Sequence, residues 1–293
     1  SREYPARSCI KEHSKILIDA ITEDHAGNIW LGTRGDGVSV VQGGHETAFR
    51  APAILPDNSV SAVLEDRDQS IWVGTADGLV RLSKPDVQIV NSRDGLSDDN
   101  VATIYTDHRG TLWLTTITGR IYQYAHGRIE PFLLPSPANT LEVLGTYEDR
   151  AGAFWFGTTS GGVVRVAKGR ATRFTMAEGL RNNGIQAFFE DHNGNLWVGT
   201  SSGISRWDGT RFKNYYLEDG LSYGWIRTIA EDRKGDLLVG TDRGLNRFHK
   251  GKFVHDGAFA QLSHDRVWSI FEDSQETLWI GTRGAGLARI KDG

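Results

Sequence analysis

The sequence predicts an all-β fold, a seven-bladed β-propeller with four antiparallel strands in each blade. Three observations support this prediction: a motif of the form ED-x-x-G-x-LW-x-GT occurs in seven copies, successive copies are 41 or 42 residues apart, and the chain contains 35 glycines and nine tryptophans. Repeats of about 40–45 residues with four strands per unit are typical of propeller blades. A single propeller is therefore expected to cover residues 1–293.

The register of the repeat is strict. Its aspartate falls at positions 24, 66, 107, 149, 191, 232 and 273, and a threonine follows nine residues later in every copy. Six residues after the aspartate there is a tryptophan in six copies and a leucine in the other, which gives the blade centres Trp30, Trp72, Trp113, Trp155, Trp197, Leu238 and Trp279. This spacing indicates seven structurally equivalent units.

Each unit divides into four short strands, as the fifth copy illustrates. Strand A is the apolar run IQAFFED, strand B is LWVGT, strand C is GISRW and strand D is FKNYY. Four strands of about six residues and four turns of about four residues account for a period of roughly 40. The segments lack the apolar spacing of about 3.6 residues that a helical repeat would need.

The two ends of the chain predict how the ring closes. The seventh unit ends at GLARIKDG without a strand D, and an extra segment, SREYPARSCIK, precedes the first unit. Residues 7–10 fall at the distance from the first repeat that strand D occupies elsewhere. We therefore expect an N-terminal strand, approximately residues 4–10, to complete the last blade and remove an open sheet edge.

The repeated side chains are expected to be structural. The aspartate can accept backbone hydrogen bonds in the A–B turn, and the tryptophan can pack between blades. The glycine three residues after the aspartate suits a left-handed backbone; Gln69 and Glu276 replace it in two copies, where we expect a different turn shape. The strand-C arginines are expected to make a repeated contact within the blade; they are Arg81, Arg165, Arg206, Arg247 and Arg289.

Motifs for catalysis, metal binding or cofactor binding find no support. His25, His108 and His192 occupy one position in three separate blades, so they cannot converge on a metal ion. P-loop, HExxH and GxSxG motifs are absent, and Cys9 is the only cysteine. The RGD tripeptide at Arg34–Asp36 lies in a B–C turn, where glycine and aspartate are expected anyway. We therefore expect a non-catalytic protein with no cofactor and no metal site.

The charge and hydropathy of the chain exclude two classes of partner. The net charge is −4 and the pI about 6.1, which argues against nucleic-acid binding. No apolar run approaches the roughly 18–20 residues of a membrane helix, which argues against direct membrane insertion.

Two segments, GLSDDNVATIYTDHRGTLWLTT and GLRNNGIQAFFEDHNGNLWVGTSSGISRW, resemble the two-component regulator propeller repeat. The resemblance covers about residues 13–290, although KEHSKI, PSPANTL and AFAQLSHD depart from the pattern before strand A. It implies the extracytoplasmic, periplasmic sensor portion of a membrane-anchored histidine kinase or hybrid sensor, with the signalling parts outside this chain. It also implies a small polar ligand such as a carbohydrate. The expected partners are neighbouring sensor or kinase domains, or a second copy in a homodimer.

Positions that do not repeat are the candidates for ligand binding. The residue before strand A and the residue two positions later vary among the blades and lie beside the channel mouth. Blades six and seven place aromatic, cationic and acidic side chains there: Tyr223, Trp225, Arg227, His264, Asp265, Arg266 and Trp268. Aromatic rings stack on sugars and arginine binds carboxylates through two nitrogens, so this set favours a sugar or an organic anion. Packing of the tryptophans between blades and surface ion pairs are the alternative interpretation.

Two other classes of function stay open. A propeller ring also serves as a docking platform for protein partners, on either face. An enzyme resembling the streptogramin lyases is the other alternative, because their repeats contain GNIWFT-like strands. The GT pair in this chain and the absence of a clear His/Glu motif argue against the enzyme.

Overall fold

The computed structural model forms a ring of seven antiparallel sheets, which confirms the predicted propeller. It describes residues 17–291, except Gly44, residues 84–86, His126, Pro137, Asp256 and the side chain of Ala258. Six blades have four strands, and the seventh has three within the described residues. The predicted closing strand at residues 4–10 lies outside the described residues.

The strands pair in chain order within every blade, from strand A to strand D. Blades 1 and 2 consist of β1 (Ile18–Glu23), β2 (Ile29–Thr33), β3 (Val38–Gln42), β4 (His45–Phe49), β5 (Val60–Glu65), β6 (Ile71–Thr75), β7 (Gly78–Leu82) and β8 (Val87–Val90). Blades 3 and 4 consist of β9 (Val101–Thr106), β10 (Leu112–Thr116), β11 (Ile121–Ala125), β12 (Arg128–Phe132), β13 (Val143–Glu148), β14 (Phe154–Thr158), β15 (Val163–Ala167) and β16 (Arg170–Phe174).

Blades 5 to 7 continue the same order. They consist of β17 (Ile185–Glu190), β18 (Leu196–Thr200), β19 (Gly203–Trp207), β20 (Phe212–Tyr215), β21 (Ile226–Glu231), β22 (Leu237–Thr241), β23 (Gly244–His249), β24 (Lys252–Val254), β25 (Arg266–Glu272), β26 (Leu278–Arg283) and β27 (Leu287–Ile290). Short 3-10 helices lie in the D–A connections, at Ser92–Asp94, Ala138–Thr140, Met176–Glu178, Leu217–Asp219 and Gly257–Leu262. No helix in the described part of the chain is long and apolar enough to cross a membrane.

Strand A of each blade lies innermost, and strand B forms the buried middle of the blade. Successive A strands contact one another around the ring, and β1 contacts β25 and β26, so the first and last blades meet. Every residue of β18 is buried. A Cβ at Gly199 in this strand would lie 2.6 Å from Cγ2 of Ile226 in the next blade. The glycine of the repeated GT pair therefore permits the close approach of strand A of the neighbouring blade.

The repeated tryptophan packs against the next blade, which confirms its predicted role. Trp197 of blade 5 lies in an apolar cluster with Ile226, Leu237 and Val239 of blade 6. Leu238 takes the equivalent place between blades 6 and 7. Trp279 packs against Ile29 and Leu31, and this contact joins the last blade to the first.

The repeated strand-C arginine covers the same tryptophan from its own blade. The guanidinium carbon of Arg206 lies 5.7 Å from the centre of the Trp197 ring, and Arg81 and Arg165 make the equivalent contact with Trp72 and Trp155. Attraction between a cation and an aromatic face stabilises this arrangement. Arg289 makes the same contact with Trp279, whereas Arg247, whose blade has Leu238 in place of the tryptophan, lies over Phe259. The predicted repeated contact is thus confirmed for four of the five arginines.

The repeated aspartate organises the A–B hairpin and holds the tryptophan. Oδ1 of Asp191 accepts backbone N–H groups from Asn193 at 3.0 Å and Asn195 at 2.9 Å, while Oδ2 accepts the Trp197 Nε1–H at 2.8 Å. Burial alone would raise the pKa of Asp191, but these hydrogen bonds and that of the Asn195 side chain outweigh it and hold the pKa below its ordinary value. The paired carboxylates of the EDHNG segment therefore belong to the blade architecture.

The A–B turns of blades 2 and 7 have the same shape as the others, so the expected difference is wrong. Gln69 and Glu276 adopt φ angles of 62° and 59°, and Gly194 in blade 5 has φ 78°. In blade 7 the Asp273 carboxylate accepts the N–H groups of Gln275 at 2.9 Å and Thr277 at 2.8 Å. The hydrogen bonds to the aspartate impose the turn. A residue other than glycine, three positions after the aspartate, adopts the left-handed backbone at a cost in conformational energy.

Replacing Glu276 with glycine should therefore stabilise the protein. A left-handed backbone costs a residue with a Cβ roughly 1–2 kcal/mol, so Glu276→Gly should raise the free energy of unfolding by about 1 kcal/mol in urea titration. Gly194→Ala, the reverse change in an equivalent turn, should lower it by a similar amount. Equal stability of Glu276→Gly and the parent would show that this turn is not strained.

The repeated glutamate before the aspartate links neighbouring blades. The N–H of the residue after the aspartate donates to the glutamate of the next blade, as in His192 to Glu231 at 3.0 Å. Six of the seven blade junctions have this bond, including Ser274 to Glu23 at 2.9 Å, which joins blade 7 to blade 1. Blade 3 carries Thr106 in place of the glutamate, and the buried Thr106 Oγ1 has no partner among the described residues.

Thr106→Glu should restore the missing link. The new carboxylate can accept the Arg67 backbone N–H, and hydrogen bonds to charged groups contribute more than neutral ones, so we expect a gain of about 1 kcal/mol in the free energy of unfolding. Thr106→Gln, which has the same length but no charge, should gain less. Loss of stability in Thr106→Glu, measured by urea titration, would contradict the proposed equivalence of the seven junctions.

Candidate functional site

Every strand A contains a β-bulge near its start. In blade 6, Ile226 pairs with Thr241 and Thr228 pairs with Gly240, so Arg227 has no partner in the ladder. The same shift occurs in the other six blades. The bulged residues are Asp19, Ser61, Ala102, Leu144, Gln186, Arg227 and Trp268. A bulge redirects a side chain away from the regular alternation of a strand.

A group of charged and aromatic side chains meets where blades 1, 6 and 7 adjoin. We call it the mouth cluster; it comprises Asp19, Arg34, Trp225, Arg227, Asp242, Trp268 and Arg283. The cluster lies on the face that carries the B–C turns and the D–A connections. Its centre is the Trp268 ring, which has the guanidinium carbons of Arg283, Arg227 and Arg34 at 3.1, 4.3 and 5.9 Å from its centroid.

Arg227 is fixed by an ion pair and two aromatic rings. Its Nε and a terminal nitrogen donate to the two carboxylate oxygens of Asp242 at 2.7 and 2.9 Å. Its guanidinium carbon also lies 4.8 Å from the centre of the Trp225 ring. The guanidinium is therefore held between Trp225 and Trp268. Trp225 itself is 38% exposed and presents an aromatic surface to solvent.

Asp19 pairs with Arg34 of its own blade and with Arg283 of blade 7, and so links the first blade to the last. Its carboxylate, only 3% exposed, accepts Arg34 at 2.8 Å and 2.9 Å and Arg283 at 3.1 and 3.2 Å. Burial lowers the pKa of Arg283 from its ordinary value; Asp19 opposes this shift, and the charges of Arg34 and Arg227 add to it. Burial and the repulsion from the two neighbouring guanidinium groups together outweigh the opposing effect of Asp19 on the Arg283 pKa.

The mouth cluster adjoins a cavity of about 250 Å³ in the channel. Leu144, Gln186 and Arg227, three of the bulged residues, line this cavity together with Tyr105 and Tyr147. The rings of Tyr105 and Tyr147 are 5.8 Å apart. Burial and the nearby Glu190 carboxylate raise the pKa of Tyr147 to about 12, so its hydroxyl stays neutral across the physiological range. Arg227 is common to the cavity and the mouth cluster.

The structure brings together only part of the predicted ligand set. Trp225, Arg227 and Trp268 are in mutual contact through the Arg227 guanidinium. Tyr223 lies to one side, where the guanidinium carbon of Arg243 is 5.0 Å from its ring centre.

The remaining predicted residues precede strand A of blade 7. His264 and Arg266 are exposed, and their side chains make no hydrogen bond or ion pair with any described residue. Asp265 is half-buried; burial raises the pKa of its carboxyl, and His264 opposes that shift. These three residues border the mouth cluster in sequence but do not take part in its contacts.

Sequence reasoning missed four members of the mouth cluster: Asp19, Arg34, Asp242 and Arg283. A signal for three of them exists in the position after the repeated threonine, which varies among the blades as Arg34, Ala76, Ile117, Thr159, Ser201, Asp242 and Arg283. Arg34 belongs to the RGD tripeptide, which is attributed above to the residue preferences of a B–C turn. Asp19 occupies the variable bulge position, but its partners lie on other loops.

A second cavity, of about 790 Å³, opens on the opposite face beside Thr106. Arg67, His108, Glu148 and Arg150 line it. His108 is paired with Glu148, as His25 and His192 are with the glutamates of their neighbouring blades. Among the described residues, no group of three or more His, Cys, Asp or Glu side chains is arranged to hold a metal ion.

Comparison with known families explains the seven-fold motif. The family model described as "Two component regulator propeller" matches six segments: residues 13–35, 54–77, 95–118, 179–202, 220–243 and 261–284. The chain belongs to the two-component regulator propeller family. The matched segments of this propeller include strands A and B of six blades, so the family pattern coincides with the interblade framework. No curated protein matches the sequence.

Solved structures similar to this two-component regulator propeller include extracellular domains of two component and one component systems and a lyase. One is described as the extracellular domain of the hybrid two component system BT3049 from B. thetaiotaomicron, with 22% identity and a TM-score of 0.79 over 96% of this chain and 40% of that one. A second is described as the extracellular domain of the one component system BT4673 from the same organism. It has 19% identity and a TM-score of 0.56, and the match covers 94% of this chain and 49% of that one. Virginiamycin B lyase from Staphylococcus aureus has 16% identity and a TM-score of 0.78 over 95% and 96%.

Proposed function

We propose that this chain is the non-catalytic, extracytoplasmic sensor propeller of a bacterial two-component signalling protein and that it binds a small polar ligand, such as a carbohydrate, at the mouth cluster. Family membership and the fold shared with extracellular sensor domains support the signalling role. The chain spans less than half the length of the BT3049 and BT4673 chains, at 40% and 49%. Neighbouring sensor or kinase domains would then receive the signal.

The exposed aromatic and cationic surface of the mouth cluster is the observation that carries the ligand-binding proposal. Trp225 offers an exposed indole, and Arg34, whose side chain is 48% exposed and lies over Trp268 in the same cluster, offers N–H donors. Ion pairs with Asp19 and Asp242 hold the arginines in place before a ligand arrives. A preorganised site of this kind loses less conformational entropy on binding.

A thermal-shift screen tests this proposal. Monosaccharides, oligosaccharides, amino acids and organic acids would be scanned, because a ligand at about 100 times its Kd adds roughly 2.7 kcal/mol to stability and raises the melting temperature. We expect the shift to be lost in Trp225→Ala and kept in Met176→Ala, which alters another exposed side chain of the same face. A ligand whose shift survives in Trp225→Ala would place binding elsewhere.

A role as a docking platform is the second candidate, and exposed apolar side chains favour it. The D–A connections of blades 3, 4 and 5 expose Leu133, Met176 and Leu217, at 71%, 56% and 59%. Homodimerisation through this surface would show as a concentration-dependent mass in light scattering, reduced by Met176→Ser/Leu217→Ser. A monomer at all concentrations would exclude the homodimer.

The non-catalytic assignment has its own test. The S. aureus lyase structure contains quinupristin. We expect quinupristin to be recovered unchanged after incubation with this protein, with and without divalent metal ions, as followed by mass spectrometry. A new product that depends on the protein would instead support the lyase alternative.

A further inference from the structure

The mouth cluster carries more positive than negative charge. Three guanidinium groups, those of Arg34, Arg227 and Arg283, converge on the Trp268 ring, and among the described residues only the carboxylates of Asp19 and Asp242 are paired with them. The excess is one positive charge, in a chain whose net charge is −4. The surplus is therefore a local property of this site.

The surrounding side chains increase this surplus. Arg243 stacks on Tyr223 with its guanidinium carbon 5.0 Å from the ring centre, and no carboxylate is paired with it among the described residues. Arg266, exposed at the start of β25, likewise has no acidic partner there. Asp265 lies beside Arg266 in the chain, but its carboxylate is not paired with the Arg266 guanidinium. Neutral ligands would leave this positive charge uncompensated.

The arginines of the cluster also retain hydrogen-bond donors. A guanidinium has five N–H groups in a planar fork. Arg34 uses Nε and one terminal nitrogen on Asp19, which leaves further N–H groups on a side chain that is 48% exposed. Asp19 is 3% exposed and shared with Arg283, so it neutralises two cations with a single charge. An oxyanion at Arg34 would supply the charge that Asp19 does not.

We propose that the ligand of the mouth cluster is a carboxylate-bearing small molecule, whose oxyanion binds Arg34 beside Asp19 and whose apolar face lies against Trp225. This inference rests on the proposed function and narrows it from polar ligands in general to organic acids and acidic sugars. Arginine binds planar carboxylates through two parallel N–H···O bonds. The exposed Trp225 indole supplies the flat surface on which the body of such a ligand stacks.

Matched pairs of ligands test the charge requirement directly. Binding of glucuronate would be compared with glucose, and benzoate with benzyl alcohol, by calorimetry at low salt, because each pair differs at the carboxylate. We expect the acid of at least one pair to bind at least about tenfold more tightly than its neutral partner, since charge-assisted hydrogen bonds contribute more than 1.4 kcal/mol. Arg34→Gln should remove that preference, and Arg50→Gln, which alters an exposed arginine outside the cluster, should keep it.

Each other outcome overturns a defined part of the argument. Equal binding of the acid and its neutral partner, or tighter binding of the neutral one, would reject the carboxylate requirement and leave the sensor proposal standing. A tenfold preference that survives in Arg34→Gln would reject Arg34 as the binding group. Absence of binding by all four compounds up to about 10 mM, where even weak complexes form, would reject the inference and count against the mouth cluster as a ligand site.

Discussion

Trp197→Ala should lower the free energy of unfolding by about 3–5 kcal/mol, the usual cost of removing a large buried aromatic side chain. Trp197 is 1% exposed and packs against Ile226, Leu237 and Val239 of the next blade. Its loss also leaves the Asp191 carboxylate without the Nε1–H donor at 2.8 Å. Both effects act at one junction, and the ring needs every junction to close. Urea or thermal unfolding measures the change.

Two matched variants separate burial from aromatic character. Trp225→Ala removes an exposed tryptophan and should change stability by less than about 0.5 kcal/mol, as surface substitutions usually do. Trp197→Leu imitates the natural Leu238 of blade 6 and should cost less than Trp197→Ala. If Trp197→Ala lowers the free energy of unfolding by less than about 1 kcal/mol relative to the parent, the proposed role of the interblade tryptophan is contradicted.

Asp19→Asn should lower the free energy of unfolding by about 3 kcal/mol, the lower end of the cost of breaking a buried ion pair, because it removes a buried carboxylate that the half-buried Arg283 and the exposed Arg34 share. The amide has almost the same shape, so packing changes little. Arg283 and Arg34 then face each other and Arg227 without a carboxylate between them. Since Asp19 and Arg283 belong to the first and last blades, the damage falls on the contact that closes the ring.

An exposed ion pair close by provides the control. Asp36 and Arg50 are paired at 3.4 Å, with side chains 43% and 53% exposed, and such pairs contribute about 0–1 kcal/mol. Asp36→Asn should therefore change the free energy of unfolding, measured by chemical denaturation, very little. Adding Arg283→Met to Asp19→Asn should recover part of the lost stability, because it removes one of the unpaired cations. Similar losses in Asp36→Asn and Asp19→Asn would show that burial of Asp19 is irrelevant.

Much of the fold was predictable because the repeat supplies seven comparisons within one chain. The spacing of the aspartate, tryptophan and threonine predicts blade number, strand order and the interblade position of Trp197. The shape of the turns at Gln69 and Glu276 was not predictable from glycine preference. Their left-handed backbone follows from hydrogen bonds to the aspartates that begin the turns, such as Asp273. These bonds outweigh the preference of residues with a Cβ for other conformations, and residue type alone does not reveal that.

The candidate site was predictable in position but not in membership. Variation at the start of strand A marked Trp225, Arg227 and Trp268, which do come together. The partners that orient them, Asp242 and Arg283, lie after strand B, and only closure of the ring places Arg283 beside Asp19. Contacts between residues 264 positions apart depend on the number and tilt of blades, which a one-dimensional pattern does not contain.

The bulge in every strand A separates two kinds of evolutionary constraint. Because the bulged residue takes no part in strand pairing, its identity can change without disturbing the register of the blade. The seven positions already hold acidic, small, aliphatic, amide, basic and aromatic side chains on one unchanged backbone. Ligand preference can therefore diverge one blade at a time, by single substitutions, except at Asp19, whose ion pair with Arg283 also helps to close the ring.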